Sequence, residues 1–168
     1  MKTKILIQRY KTFYSKFLIE KNKTKKLEYY NEYFKYLSSA AYKGYSEAQY
    51  ELGFWYGVTD GYTYFKRKKI SFKKFLYWTG KSAEQNYAYA IAALAEFYEI
   101  TDSKYQDLTK SIFFYKKHYE LVGDKDSKRN YDLIIRQVEQ GLYIKNQKGR
   151  MELVKNWKVL IKQQTKEI

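Results

Sequence analysis

Residues 39–56 read Ser39-Ala40-Ala41-Tyr42-Lys43-Gly44-Tyr45-Ser46-Glu47-Ala48-Gln49-Tyr50-Glu51-Leu52-Gly53-Phe54-Trp55-Tyr56. Leading into this stretch, Leu27, Tyr30, Phe34, Leu37 and Ala41 follow helical spacing; leading out of it, Ala48, Leu52, Trp55 and Tyr56 do the same. Between the two stripes stands Lys43-Gly44, and glycine takes the left-handed backbone that ends a helix without steric cost. The stretch predicts two helices joined by a tight turn.

The same unit recurs 42 residues later without gaps. Ala83-Glu84-Gln85-Asn86-Tyr87-Ala88-Tyr89-Ala90 aligns with Ala41 to Ala48, Leu94 with Leu52, Ala95 with Gly53, Tyr98 with Tyr56 and Trp78 with Tyr36. A fainter copy follows 37 residues on, with Tyr115 at the aromatic position, Gly123 at the turn and Ser127 at the small position. Small residues at 41, 48, 83 and 90 let helices cross closely. Gly44 and Asn86 are residue types that tolerate positive φ. The aromatic residue at 36, 78 and 115 would fill the gap between one helix pair and the next. No such pair buries its apolar face alone, so stacking is obligatory.

Outward from the repeat, helical periodicity extends over most of the chain. An N-terminal helix is expected over 3–20, with Leu6, Tyr10, Phe13, Phe17 and Leu18 on one face, and a C-terminal helix over 149–166, with Leu153, Val154, Trp157, Leu160 and Ile161 on a stripe. The expected organisation is a single domain over 1–168: a capping helix at 3–20, repeat 1 at 26–57, an insertion loop at 58–70, repeat 2 at 71–99, a degenerate repeat 3 at 107–143 and a capping helix at 149–166. No strand is expected.

The run 39–56 resembles a Sel1-like repeat, a relative of the tetratricopeptide repeat. That pattern is an aromatic residue, then K-A-A-E-Q-G, then A-E-A-Q-Y-x-L-G-x-x-Y; Trp78 and Lys81-Ser82-Ala83-Glu84-Gln85-Asn86 match its first half in the second copy. The resemblance covers about residues 30–135 and implies an all-α fold, a short right-handed α-solenoid of two to three helix pairs with capping helices at both ends. It also implies protein binding rather than catalysis, in scaffolding, regulatory or immunity roles. A small chain of this type is similar to immunity proteins that neutralise a bacterial toxin. The insertion at 57–70, Asn86 in place of the turn glycine, and Asp124 onward in place of A-E-A-Q depart from the pattern.

The 168 residues carry 33 Lys plus Arg against 18 Asp plus Glu, a net charge of +15, with 45% hydrophobic residues and no proline or cysteine. Collapse is therefore affordable, and disulfides, zinc–cysteine sites and thiol nucleophiles are excluded. Of the cations 28 are Lys and 5 are Arg, beside 21 Tyr and 10 Phe, a bias that A/T-rich codons would produce. Lys supplies point charges and lacks the bidentate geometry that reads guanine, which argues against sequence-specific nucleic-acid recognition. The excess charge still attracts acidic surfaces. Ile5-Leu6-Ile7 is too short an apolar run for an export signal, and no stretch reaches the length of a membrane span, so a cytoplasmic chain is expected.

His118 is the only histidine, so a two-histidine metal site is excluded and a catalytic triad would rest on it alone. Glu47 and Glu51 stand one helical turn apart, where solvation of a helix face is the simpler reading than acid–base work. Asp124 and Asp126 suit a helix N-terminus. No metal, cofactor or catalytic residue is expected. The expected partner-binding residues are those projecting from the first helix of each pair: Lys35, Ser39, Lys74, Tyr77, Lys81, Phe114, Lys117 and His118. They combine cationic steering with aromatic anchors and suit an acidic protein partner, such as a toxin domain, in a concave groove. The alternative is nucleic-acid binding through Tyr62, Tyr64, Phe65, Lys66, Arg67, Lys68 and Lys69, where rings would stack on bases and cations would meet phosphates.

Overall fold

The structure, a computed structural model, describes residues 3–57, 70–99, 105–139, 143–145 and 151–153. Seven helices account for nearly all of them: α1 Thr3–Ile19, α2 Lys23–Tyr42, α3 Ser46–Gly57, α4 Phe72–Glu84, α5 Ala88–Glu99, α6 Leu108–Val122 and α7 Lys125–Glu139. Consecutive helices pack as pairs. No described helix is long and apolar enough to cross a membrane. The chain divides into two compact units, Met1–Gln85 and Asn86–Ile168, and the division falls at the turn inside the expected second repeat.

The turns carry the duplication. Gly44, Asn86 and Gly123 all adopt positive φ, at 87°, 58° and 72°. In each case the following helix starts two residues on, at Ser46, Ala88 and Lys125. Alignment at offsets of 42 and 37 thus places the turn of all three copies, including the faint third one.

In the first unit, α1 lies on α2. Leu6, Tyr10 and Phe17 are buried, and Phe13 stacks on Tyr36 with centroids 5.7 Å apart and planes 8° from parallel. Leu18 differs from expectation: it is 57% exposed, because it stands about 100° around the helix from Phe17. Helix α2 starts at Lys23 rather than Lys26, since the Asn22 side chain accepts hydrogen bonds from the Thr24 and Lys25 amides. Leu27 is exposed, whereas Tyr33, outside the expected stripe, is 1% exposed. Its ring meets Tyr10 of α1 on one side and Trp55 of α3 on the other. A helix packed on two neighbours buries a wider arc than one stripe.

Gly53 marks the closest approach of α3 and α4. A Cβ there would stand 2.5 Å from Thr79 Oγ1 and 3.0 Å from the Thr79 backbone nitrogen. A buried glutamine stitches three helices together: Gln49 Nε2 donates to the Ala41 carbonyl (3.1 Å) while its Oε1 accepts from Gln85 Nε2 (2.7 Å). Ser82 Oγ donates to the Ser46 carbonyl at 2.7 Å.

In the second unit, Ser111 Oγ of α6 donates to the Ala95 carbonyl of α5, and Phe114 stacks on Tyr98 with planes 5° from parallel. Ser127 and Ile134 of α7 are buried. Residues 143–145 and 151–153 form an antiparallel ribbon, β1 and β2, with Tyr143 opposite Leu153 and Lys145 opposite Met151. This corrects the expected helix over 149–166 at Met151–Leu153. Met151-Glu152-Leu153 alternates apolar and polar residues, a period that suits a strand as well as the start of a helical stripe. Residues 154–166 lie outside the described residues.

Candidate functional site

Within the first unit, α2 and α4 carry five of the expected partner-binding residues. Tyr42 of α2 meets Trp78 of α4 edge-on, with centroids 4.9 Å apart, and Tyr77 meets the same indole at 5.0 Å. Trp78 is buried, while Tyr42 and Tyr77 are 78% and 54% exposed. Lys81 Nζ lies over the Tyr77 ring at 5.4 Å, and Lys74 Nζ over Tyr56 of α3 at 4.7 Å. Both ammonium groups therefore rest on rings, which favour a cation over their faces. Lys35 is exposed but paired with Glu32 at 3.2 Å, and Ser39 Oγ donates to the Lys35 carbonyl of its own helix. In this unit the expected face thus narrows to Lys74, Tyr77 and Lys81, and Tyr42 joins them. Tyr42 was not among the expected residues; its place beside the turn gave no signal of exposure.

In the second unit the expected residues divide differently. Phe114 is 7% exposed and stacked on Tyr98, so it belongs to the core and not to a binding face, which corrects that expectation. Helix α6 packs on both α5 and α7, and this buries the side of α6 that bears Ser111 and Phe114. Lys117 is half-buried. His118 Nδ1 lies 2.7 Å from Ser127 Oγ and 3.7 Å from Asp124 Oδ2, with the imidazole 13% exposed. The Asp124 carboxylate also accepts from the Ser127 amide at 2.7 Å, which holds its pKa below the usual range and caps α7. Ser, His and Asp meet here, yet Ser127 is 4% exposed and both oxygens face the same ring nitrogen. A triad needs an open nucleophile and carboxylate and hydroxyl on opposite ring nitrogens. The cluster is a helix cap.

A second concavity, of about 210 Å³, is lined by Tyr14 of α1, Tyr33 of α2, and Tyr50, Glu51, Phe54 and Trp55 of α3. Trp55 Nε1 donates to the Tyr33 hydroxyl at 2.7 Å, and that hydroxyl faces Glu51 Oε2 at 3.4 Å. Tyr14 leans on Tyr33 at 5.2 Å, and Tyr50 on Phe54 at 6.3 Å. Burial, and secondarily the charge of Glu47, push the Glu51 carboxyl up to about 7 from 4.5. Glu47, one turn away, is bonded to Lys11 through both oxygens at 2.8 and 2.9 Å. Equal spacing therefore gives two unlike carboxylates, one neutralised at the surface and one desolvated among rings. Periodicity could place the pair but not separate them, because the difference comes from α1 and α2.

On α7, Lys125, Lys128, Arg129 and Arg136 surround a shallow concavity of about 230 Å³ with Asp132 and Leu133. The segment 62–69, expected to carry the alternative nucleic-acid site, lies outside the described residues. Among the described residues no group of three or more His, Asp or Glu side chains could hold a metal ion. No family model, curated protein or solved structure matches the chain.

Proposed function

We propose that the chain is a short Sel1-like α-solenoid acting as a docking protein, without catalysis, for an acidic protein partner. The observation that carries this reading is the exposed aromatic pair Tyr42 and Tyr77, both braced on buried Trp78 and flanked by Lys74 and Lys81. Tyrosines braced on a buried ring lose little conformational freedom on binding and supply most of a hot spot's contact area, while lysines that make no ion pair among the described residues steer an acidic surface and raise the association rate. The three left-handed turns at matching positions support the repeat reading. By the resemblance, neutralisation of a bacterial toxin is the role such docking would serve.

The test is direct titration of the purified chain with an acidic protein that it captures from its native cell. Tyr77→Ala and the charge reversal Lys81→Glu should each weaken that complex at least tenfold, with unchanged far-UV circular dichroism. Retention of full affinity in both variants refutes the assignment. The α7 cations favour a second reading, polyanion binding. Affinity for random oligonucleotides that falls steeply with log salt, and falls further on Arg129→Glu, would support it instead.

A further inference from the structure

The cleft among α1, α2 and α3 uses none of the docking-face residues, and its chemistry is of another kind. Its lining is aromatic apart from Glu51, the one carboxylic acid among the described residues that line it, and aromatic rings carry negative potential on their faces. Lys11, a described cation whose charge reaches Glu51, is bonded to Glu47. The Tyr33 hydroxyl offers Glu51 only a 3.4 Å contact, long for a hydrogen bond between oxygens. Among the described residues the carboxylate is thus desolvated without a cation in contact.

The repeat supplies an internal comparison. At the 42-residue offset, Tyr33, Glu51 and Trp55 correspond to Phe75, Ala93 and Phe97. Phe75 and Phe97 are buried, at 6% and 8% exposure. In sequence, the hydroxyl, the carboxylate and the indole N–H are therefore peculiar to the first copy.

We propose that this cleft binds a methylated ammonium group. Such a cation is weakly hydrated, spreads its charge over methyl groups that pack on aromatic rings, and gives Glu51 a close counter-charge. A metal ion would shed its hydration shell for one carboxylate, too few oxygens to replace it. An anion is repelled by both Glu51 and the rings, and a neutral ligand would leave the carboxylate buried without charge compensation. At about 210 Å³ the cleft lies below the roughly 300–1,000 Å³ of sites for drug-sized molecules, and suits a headgroup or one side chain.

The carrier of the nitrogen, a free solute or a trimethylated lysine, is decided by the probes. Choline and a trimethyllysine peptide are titrated calorimetrically into the full chain, beside 3,3-dimethylbutanol, in which carbon replaces the charged nitrogen of choline. We expect millimolar or tighter binding of at least one cation, with the tighter one naming the carrier, and at least tenfold weaker binding of the neutral isostere. Glu51→Gln should cost at least tenfold. Phe54→Ala, at a position 45% exposed and so safe for the fold, should cost severalfold. Glu51 is faced by Glu47 on its own helix, by Lys11 and Tyr14 of α1 and by Tyr33 of α2, and burial carries its carboxyl up to about 7. Binding should therefore tighten about tenfold from pH 6 to pH 8. Equal affinity for choline and its carbon isostere overturns the proposal. So does undiminished binding by Glu51→Gln, or no heat with either cation at about 10 mM.

Discussion

Replacing Glu51 by glutamine should change how stability depends on pH, in a direction opposite to that of a salt-bridged acid. The carboxyl is carried from 4.5 to about 7 in the folded chain, chiefly by burial among Tyr14, Tyr33 and Trp55. Below pH 4.5 it is protonated in both states and costs nothing. Between 4.5 and 7 the unfolded chain releases the proton while the folded chain retains it, so stability falls as pH rises; above 7 the loss is complete. At 1.36 kcal/mol per pH unit the full loss would be about 3 kcal/mol, and water at the partly open cleft reduces it to about 2 kcal/mol. Lys11, whose pKa is raised by its bond to Glu47, titrates far above this window.

Glutamine keeps the shape and cannot ionise. The variant should match the parent at pH 4 and exceed it by about 2 kcal/mol at pH 8, or about 4–8 °C in melting temperature for a chain of this length. Urea denaturation followed by circular dichroism at pH 4, 5, 6, 7 and 8 measures this directly. Parallel stability curves for the two chains across pH 5–7 would refute the reasoning, since they would mean that Glu51 is solvated like Glu47.

Three further substitutions probe the helix contacts. Gly53→Ala should destabilise the first unit by about 1–3 kcal/mol, because the new Cβ meets Thr79 Oγ1 and the unyielding Thr79 backbone; thermal melting checks it. Thr79→Val removes a buried hydroxyl without a hydrogen-bond partner and keeps the shape, so it should stabilise by about 1 kcal/mol in a denaturant titration. Asn86→Ala should cost about 1 kcal/mol at φ 58°, whereas Asn86→Gly should be near neutral; equal losses would show that the Asn86 side chain, and not its backbone angle, matters there.

The elements easiest to read from sequence were those fixed by local chemistry. Gly44, Asn86 and Gly123 announce left-handed turns by residue type, and Asp124 announces a helix cap, so the starts of α3 and α5 follow almost to the residue and that of α7 within two. Tyr33 and Leu27 were misplaced because one stripe was assumed for α2, whose two sides are covered by α1 and α3. Phe114 and Tyr77 occupy first helices of their copies and look alike in sequence, yet one is core and the other surface. Phe114 is buried because α6 packs on both α5 and α7 and Phe114 stacks on Tyr98, a tertiary fact. Met151–Leu153 failed for a different reason: three residues are too few for a period to decide between strand and helix.

The duplication also shows which residues the fold needs. Positions that stay small and buried in both strong copies, Ala41 and Ala83, Ala48 and Ala90, are fully accounted for by close packing. Positions that change type between copies are not. Glu51 lies a turn from Glu47 and looks equally solvated in a linear reading, but at the 42-residue offset its counterpart is Ala93, and Tyr33 and Trp55 give way to Phe75 and Phe97. A single polar replacement could be neutral drift at a surface. Three that meet around one hydroxyl, with Trp55 Nε1 donating to it and Glu51 facing it, form one interaction. Removing the carboxylate is expected to stabilise the chain, so stability is not what Glu51 contributes. Its environment gains from a cation, and that gain is what the first copy offers and the second lacks.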